Sequence, residues 1–310
     1  MRRGLGRHNR RSAGGPVGPL AVNFLTGTLD SRIAFSRPTT ATYTNASGVL
    51  TTAAVNAPRF DYSPTSIGTP TGLLLEGAAT NLFLNSATLA TQSVTTTATP
   101  YTISFYGTGT IVLTGTATAT ITGTGAYPTQ TTYTFTPTAG TLVATVTGSV
   151  TNAQIETGSF ATSYIPTTTA PVTRAADVAT LTVPALGSQG TVVTTASTEG
   201  VSSSNHVIVS ASSAYLAYLN ATLKASIYDT VNTATSTTTA TVNVPFKTAT
   251  SFGPQGLAVS LNQGTPGTNG SYSGGFNGLT SLRLGSSLSG HMQTLTIYAT
   301  QYTGAPLQAL

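Results

Sequence analysis

Asp61 and Glu76 are the carboxylates that first invite a chemical reading. Glycoside hydrolysis needs one carboxyl group as acid and a second as base or nucleophile. These two lie in a stretch, 30–76, that also carries Asp30, Arg32, Arg37 and Arg59. A later stretch answers it with Glu156, Arg174 and Asp177, and between Gly77 and Ile155 there is no charged side chain. The competing reading is architectural. Arg37, Arg59 and Arg174 would pair with Asp61, Glu76 and Asp177 and fix the two stretches as a frame around an uncharged insert. The acids have no spacing that marks a catalytic pair, whereas buried ion pairs are best attested as devices that set register. The sequence therefore favours structural pairs and no catalytic residue, so the chain is expected not to be an enzyme.

Other chemistry finds less support. His206 and His291 sit in or beside expected strands with no acid near them in sequence, and no Gly-x-Ser-x-Gly elbow stands between a strand and a helix. No His/Asp cluster has zinc or calcium spacing, and Glu199 and Asp229 are isolated, so neither a metal nor any other cofactor is expected. No Gly-rich phosphate loop opens a helix. Sugar binding uses aromatic faces. The chain has no tryptophan, which leaves Tyr215, Tyr218, Tyr228 and Tyr272 as the candidates for glycan contact, with a core role as the alternative for each.

These residues must be carried by strands. Charged residues are 6% of the 310-residue chain, yet 39% of it is apolar, so low charge does not here mean disorder. Thr and Val favour strands. Tyr101–Tyr106, Thr110–Thr114 and Thr132–Thr136 alternate as strands with one face on a core, and Gly-Thr and Pro-Thr pairs punctuate them at sandwich spacing. Val178–Val183, Gly190–Thr194, His206–Val209, Tyr215–Leu219, Gly256–Leu261 and Gly290–Tyr298 continue the pattern. No helical period or heptad is sustained, and no apolar run approaches the roughly 18 residues of a membrane span. The fold is expected to be all-β.

The charge is unevenly placed. Arg2, Arg3, Arg7, Arg10 and Arg11 are five of the twelve basic residues, and the other seven balance the seven acids, which leaves the whole net charge of +5 in the first eleven residues. Such an arm suits nucleic acid or an acidic protein surface, and no apolar segment follows it as in a secretory signal. A body so poor in surface charge has little protection against association, which predicts a stable assembly. Three parts result: a basic arm and linker over 1–19, the frame with its insert at about 83–153 over 20–178, and a second β domain over 179–310.

The frame motifs carry a resemblance. Phe35-Ser-Arg37-Pro-Thr-Thr-Ala-Thr-Tyr43, Pro58-Arg-Phe-Asp61, Gly72-Leu-Leu-Leu-Glu76-Gly77-Ala-Ala-Thr-Asn-Leu82, Gly158-Ser-Phe-Ala-Thr-Ser-Tyr-Ile-Pro166 and Val172-Thr-Arg174-Ala-Ala-Asp177 resemble tailed-phage head spike fibre and tail-fibre-like virion proteins. Residues 257–262, 282–285 and 290–298 look like the C-terminal concanavalin A/laminin G-like sandwich of such proteins, and the insert is similar in placement to their jelly-roll domain. The chain departs from that pattern in lacking a tryptophan in the insert and in having Ala78 and Ala79 where relatives often place an arginine. The resemblance implies a virion component made in a bacterial cytoplasm and displayed on the particle. Its arm, Arg2, Arg3, Arg7, Arg10 and Arg11, would anchor it to capsid or tail proteins, as a homotrimer, with no membrane partner. A tail fibre or adhesin that recognises a host-surface glycan is the alternative it leaves open, and a polysaccharide hydrolase acting through Asp61 or Glu76 comes third.

Overall fold

The structure, a computed structural model, describes residues 18–201, 204–211 and 213–310. The arm arginines, Arg2 to Arg11, lie outside the described residues. The protein is all-β, with one β-sandwich inserted into a larger one, and a single short α-helix at Gly304–Ala309 among the described residues. That helix seats Leu307 on Val193, Ala249 and Ala258.

The insert folds as a sandwich of two antiparallel sheets. One has four strands in the order Ala119–Thr122, Thr110–Gly115, Gly140–Thr147, Gln92–Thr96, and the other has three, Thr131–Phe135, Tyr101–Tyr106, Thr151–Thr157. The alternation seen in the sequence sorts the faces. Ile111, Leu113, Leu142, Ile103, Phe105 and Ile155 point into one core, while threonines face outward and bond across strands, as Thr102 does with Thr134 at 2.9 Å. In Tyr101–Tyr106 all six residues are buried. Its outward residues are covered too, because the chain leaving the insert crosses them: Thr102 Oγ1 donates to the carbonyl of Gly158.

The larger sandwich packs an eight-stranded sheet on a seven-stranded one. Phe24, Leu73, Leu75, Leu181, Val192, Leu284, Met292 and Leu295 are among the side chains of its core. Complete burial of such a side chain is worth about 1.5–3 kcal/mol. Strands from before residue 178 enter both of its sheets. Leu20–Asn23 pairs with Gly290–Tyr298, Pro70–Leu75 pairs with the same strand further along, and Arg59–Tyr62 forms the edge beyond it. Ile33–Ser36 lies at the edge of the other sheet against Val178–Thr182. Residues 179–310 thus share their sheets with the frame, which differs from a second domain beginning at 179. The cause is that short apolar runs such as Leu73-Leu74-Leu75 need neighbours on both edges to satisfy their backbone groups. One neighbour, Arg59–Tyr62, is near in sequence, but the other, Gly290–Tyr298, is more than 200 residues away, where no local pattern announces it.

Candidate functional site

Five charged side chains meet where the two ends of the insert return to the larger sandwich. Arg37 follows Ile33–Ser36, with Pro38 holding its backbone extended. Arg59 opens Arg59–Tyr62, Glu76 follows Pro70–Leu75, Arg174 ends Val172–Arg174, and Asp177 precedes Val178–Thr182. Arg37 Nη1 lies 2.9 Å from Asp177 Oδ1, and Arg59 donates to Asp177 through Nη2 and to Glu76 Oε2, at 2.6 Å, through Nη1. Arg174 Nη1 reaches the same Glu76 oxygen at 2.9 Å. The backbones close the knot, since Glu76 N donates to Asp177 Oδ2 and Asp177 N to the carbonyl of Glu76. All five side chains are buried. Burial alone would push the Glu76 carboxyl up, but Arg174 and Arg59 outweigh it and hold the group at about 2.

This clamp also holds the chain that leaves the insert. Glu76 accepts from the backbone N–H and hydroxyl of Ser163, at 2.7 and 2.6 Å. Glu156, also buried, accepts from the backbone N–H and hydroxyl of Thr162, both at 2.7 Å. Burial pushes Glu156 up to about 7. Further along, Phe160 packs so closely against Gly200 that a Cβ there would fall 2.2 Å from its ring, and Ser159 Oγ donates to the carbonyl of Val201.

Arg37, Arg59, Arg174, Glu76 and Asp177 meet as the sequence suggests, but Asp61 does not join them. Its Oδ2 pairs with His291 Nε2 at 2.9 Å and its Oδ1 accepts from Thr44 N at 2.6 Å. Strand geometry explains the correction. Residues 59 and 61 share a face but stand about 6.6 Å apart along the strand, and the short aspartate reaches His291 rather than a guanidinium. Gly72, opposite Asp61, has φ +121°, and a Cβ there would sit 2.3 Å from the carbonyl of Met292; a side chain at that position would force apart the strands that bring Asp61 and His291 together. The Asp61/Glu76 pair considered for hydrolysis therefore does not form: Glu76 is spent on two arginines and Ser163.

Asp61 instead faces a cleft of about 390 Å³ between the insert and the outer face of the eight-stranded sheet. Tyr43, Tyr106, Tyr127, Phe160 and Glu199 help to line it. Tyr106 and Tyr127 meet edge-on at 5.2 Å, and the Tyr127 hydroxyl lies 3.1 Å from Thr44 Oγ1. Burial would lower His291, but its bond to Asp61 and the nearby Glu199 raise it above the ordinary value. Burial, with Glu76 and Asp61 nearby, pushes Glu199 up to about 7. Sequence reasoning set Glu199 and His291 aside for lack of neighbouring acids; strand alternation placed each on a face but could not name what stood opposite.

The tyrosine candidates divide. Tyr215 lies 5.3 Å from Tyr218 and 6.0 Å from Tyr228 between ring centroids, on the outer face of the seven-stranded sheet. One cross-strand row there runs Arg283, Ser210, Tyr215, Tyr228, with the Arg283 side chain exposed. Tyr272 sits elsewhere, stacked on Phe276 at 5.9 Å and beside Phe252, with its hydroxyl donated to Asn277. It seals a core edge. His206 is buried between Thr198 and the carbonyl of Leu288, and burial lowers its pKa. Among the described residues no group of His, Asp and Glu could hold a metal ion, and no helix is long and apolar enough to cross a membrane.

Comparison with known proteins adds little beyond this geometry. No protein-family profile matches the chain, and no curated protein does. Among solved structures, Trypanosoma rangeli sialidase aligns with 44% of this chain at 9% identity in its complex with 2,3-difluorosialic acid, with a TM-score of 0.32. The chain spans 29% of that sialidase's length. Domains LG4-5 of the mouse laminin α1 chain align with 78% of this chain and 95% of their own at 10% identity, with a TM-score of 0.26. Likenesses of this size carry no argument about activity.

Proposed function

We propose that the chain is a non-enzymatic structural component of a tailed-phage particle, a head fibre, spike or decoration protein that displays two β-sandwiches. Arg2, Arg3, Arg7, Arg10 and Arg11 hold it to other phage structural proteins, and it assembles as a homotrimer on the particle surface. The observation that supports this reading is the clamp. Its five buried charges come from the motifs that resemble virion proteins, and they tie both ends of the insert to the larger sandwich. A buried network of this kind suits a part that must transmit load or hold an orientation rather than open and close. The test is deletion of residues 2–11 followed by quantitation of the protein on purified particles. The shortened chain should fold, with an unchanged melting profile, and be missing from particles; incorporation at normal occupancy would overturn the anchoring role.

A second reading, a tail fibre or adhesin that recognises host glycan, has its own observation in the row Arg283, Ser210, Tyr215, Tyr228. Ring faces beside an exposed guanidinium suit an acidic sugar. Attachment to host cells that is unaffected by a Tyr215→Ala, Tyr228→Ala double substitution would remove this reading.

A further inference from the structure

We propose that the cleft between the inserted sandwich and the outer face of the eight-stranded sheet binds an uncharged saccharide, whose hydroxyls bond Asp61 and Glu199 and whose ring lies against Tyr127. This goes beyond the virion reading and would stand without it.

The cleft's volume, about 390 Å³, falls within the range of roughly 300–1,000 Å³ typical of small-molecule sites. Its lining joins two kinds of surface that are seldom together in a merely structural crevice. One is aromatic: Tyr43, Tyr106, Tyr127 and Phe160 come from the frame, the insert and the chain leaving the insert. Aromatic faces carry a negative quadrupole, and the C–H groups of a pyranose present the complementary weak positive charge. The other surface is made of acceptors. Each Asp61 oxygen already takes one hydrogen bond, from Thr44 or His291, and a carboxylate oxygen has room for a second.

Glu199 is the more telling group. Its backbone N–H is bonded to Ser289, but its carboxyl group, at the cleft wall, makes no hydrogen bond to any described residue. A half-buried carboxyl at a cleft wall whose proton is held up is of the kind that concentrates at functional sites. With its proton held to about 7 by burial and by the negative charge of Glu76 and Asp61, against the opposing pull of His291 and Arg59, it can donate to or accept from a sugar hydroxyl near neutral pH.

The same lining sets the sign of the ligand. Among the described residues no lysine or arginine lines the cleft, and Arg59 and Arg174 are committed to Glu76 behind Ser163. A uronate or sialate would bring its carboxylate against Asp61 and Glu199 with nothing to neutralise it. The cleft thus excludes what the Arg283 row would accept.

The experiment titrates the full chain with chitotriose and maltotriose as neutral probes and trigalacturonate as the acidic one, by calorimetry and saturation-transfer NMR. At least one neutral probe should bind with a dissociation constant below about 10 mM, and trigalacturonate should not enter the cleft. Tyr127→Ala and Glu199→Gln should each weaken the neutral probe by about tenfold or more, with unchanged melting profiles confirming the fold. A Tyr215→Ala, Tyr228→Ala double variant should bind it as the parent does. The proposal is overturned if neither neutral probe binds, or if binding survives both cleft substitutions.

Discussion

Two charged clusters meet at the strand Arg59–Tyr62, and they follow opposite rules. In the first, Arg37, Arg59, Arg174, Glu76 and Asp177 are buried and mutually paired. In the second, Asp61 and His291 pair at the wall of a cleft, and Glu199 stands beside them without a hydrogen bond to a described residue. Arg59 and Asp61 are two positions apart on a single strand, so sequence proximity does not decide which cluster a residue joins. Side-chain length and the neighbour across the sheet decide it. Closed networks of this kind fix geometry, because every charge depends on the others to offset its desolvation. An open cluster keeps capacity for something from outside.

The largest expected effect lies in the closed cluster. Removing one member of a buried ion pair leaves its partner charged and unsolvated, at a cost of about 3–5 kcal/mol. Arg59→Met takes one of two arginines from both Glu76 and Asp177 and should cost about that much in urea unfolding. Asp61→Asn keeps the bond from Thr44 N and loses only a partly exposed pair with His291, so it should cost about 1 kcal/mol or less. If the two substitutions cost the same, the distinction between the clusters collapses.

Glu156 sharpens the comparison from another side, because it is buried beside the clamp yet makes no salt bridge to a described residue. Its carboxyl holds its proton to about 7 in the fold, against 4.5 for the ordinary group. The unfolded chain therefore releases this proton first, and the folded state loses stability as pH rises from 4.5 to 7. The loss amounts to up to roughly 3 kcal/mol above that window. Glu76 runs the other way: held at about 2, it contributes stability above 4.5 that disappears as pH falls toward 2. Glu156→Gln keeps at one oxygen the bonds that Oε1 accepts from Gln154 Nε2 and Thr162 N, and can donate to Thr162 Oγ1 at the other position. It should leave stability at pH 4 nearly unchanged and raise it at pH 8. A substitution that is equally costly at both pH values would show that Glu156 is ionised in the fold and belongs with the clamp.

How legible this was in the sequence follows from the same physics. Period-two alternation showed the strands of the insert, because Ile111, Leu113 and Leu142 must all face one core. Concentration of charge showed the clamp, because a chain with so few ions cannot bury several of them unpaired. The pairing of Asp61 with His291, 230 residues later, was not legible. Alternation tells which face a residue takes, but only sheet order tells which residue lies across from it, and that order is set by contacts spanning the chain. Glu199 looked isolated for the same reason. Tyr215, Tyr218 and Tyr228 converged because they lie on adjacent hairpin strands, where local register carries the information. Tyr272, in a Gly-rich loop, had no register to inherit and folded onto Phe252 and Phe276 instead.

The smallest expected effect tests the open cluster most directly. Glu199 is half-buried and carries its proton to about 7, against an ordinary 4.5, so the folded state loses stability as pH rises from 4.5 to 7, and no hydrogen bond to a described residue offsets this. Glu199→Gln removes this loss and breaks no hydrogen bond to a described residue. Thermal melting at pH 8 should rise slightly, by an amount worth about 1 kcal/mol or less after allowance for solvent screening, and should match the parent at pH 5. A clear loss of stability at both pH values would mean that Glu199 has a structural partner and that the cleft wall is as closed as the clamp. A neutral or favourable change leaves Glu199 as a group the fold carries at its own expense, which is the pattern of stability traded for function.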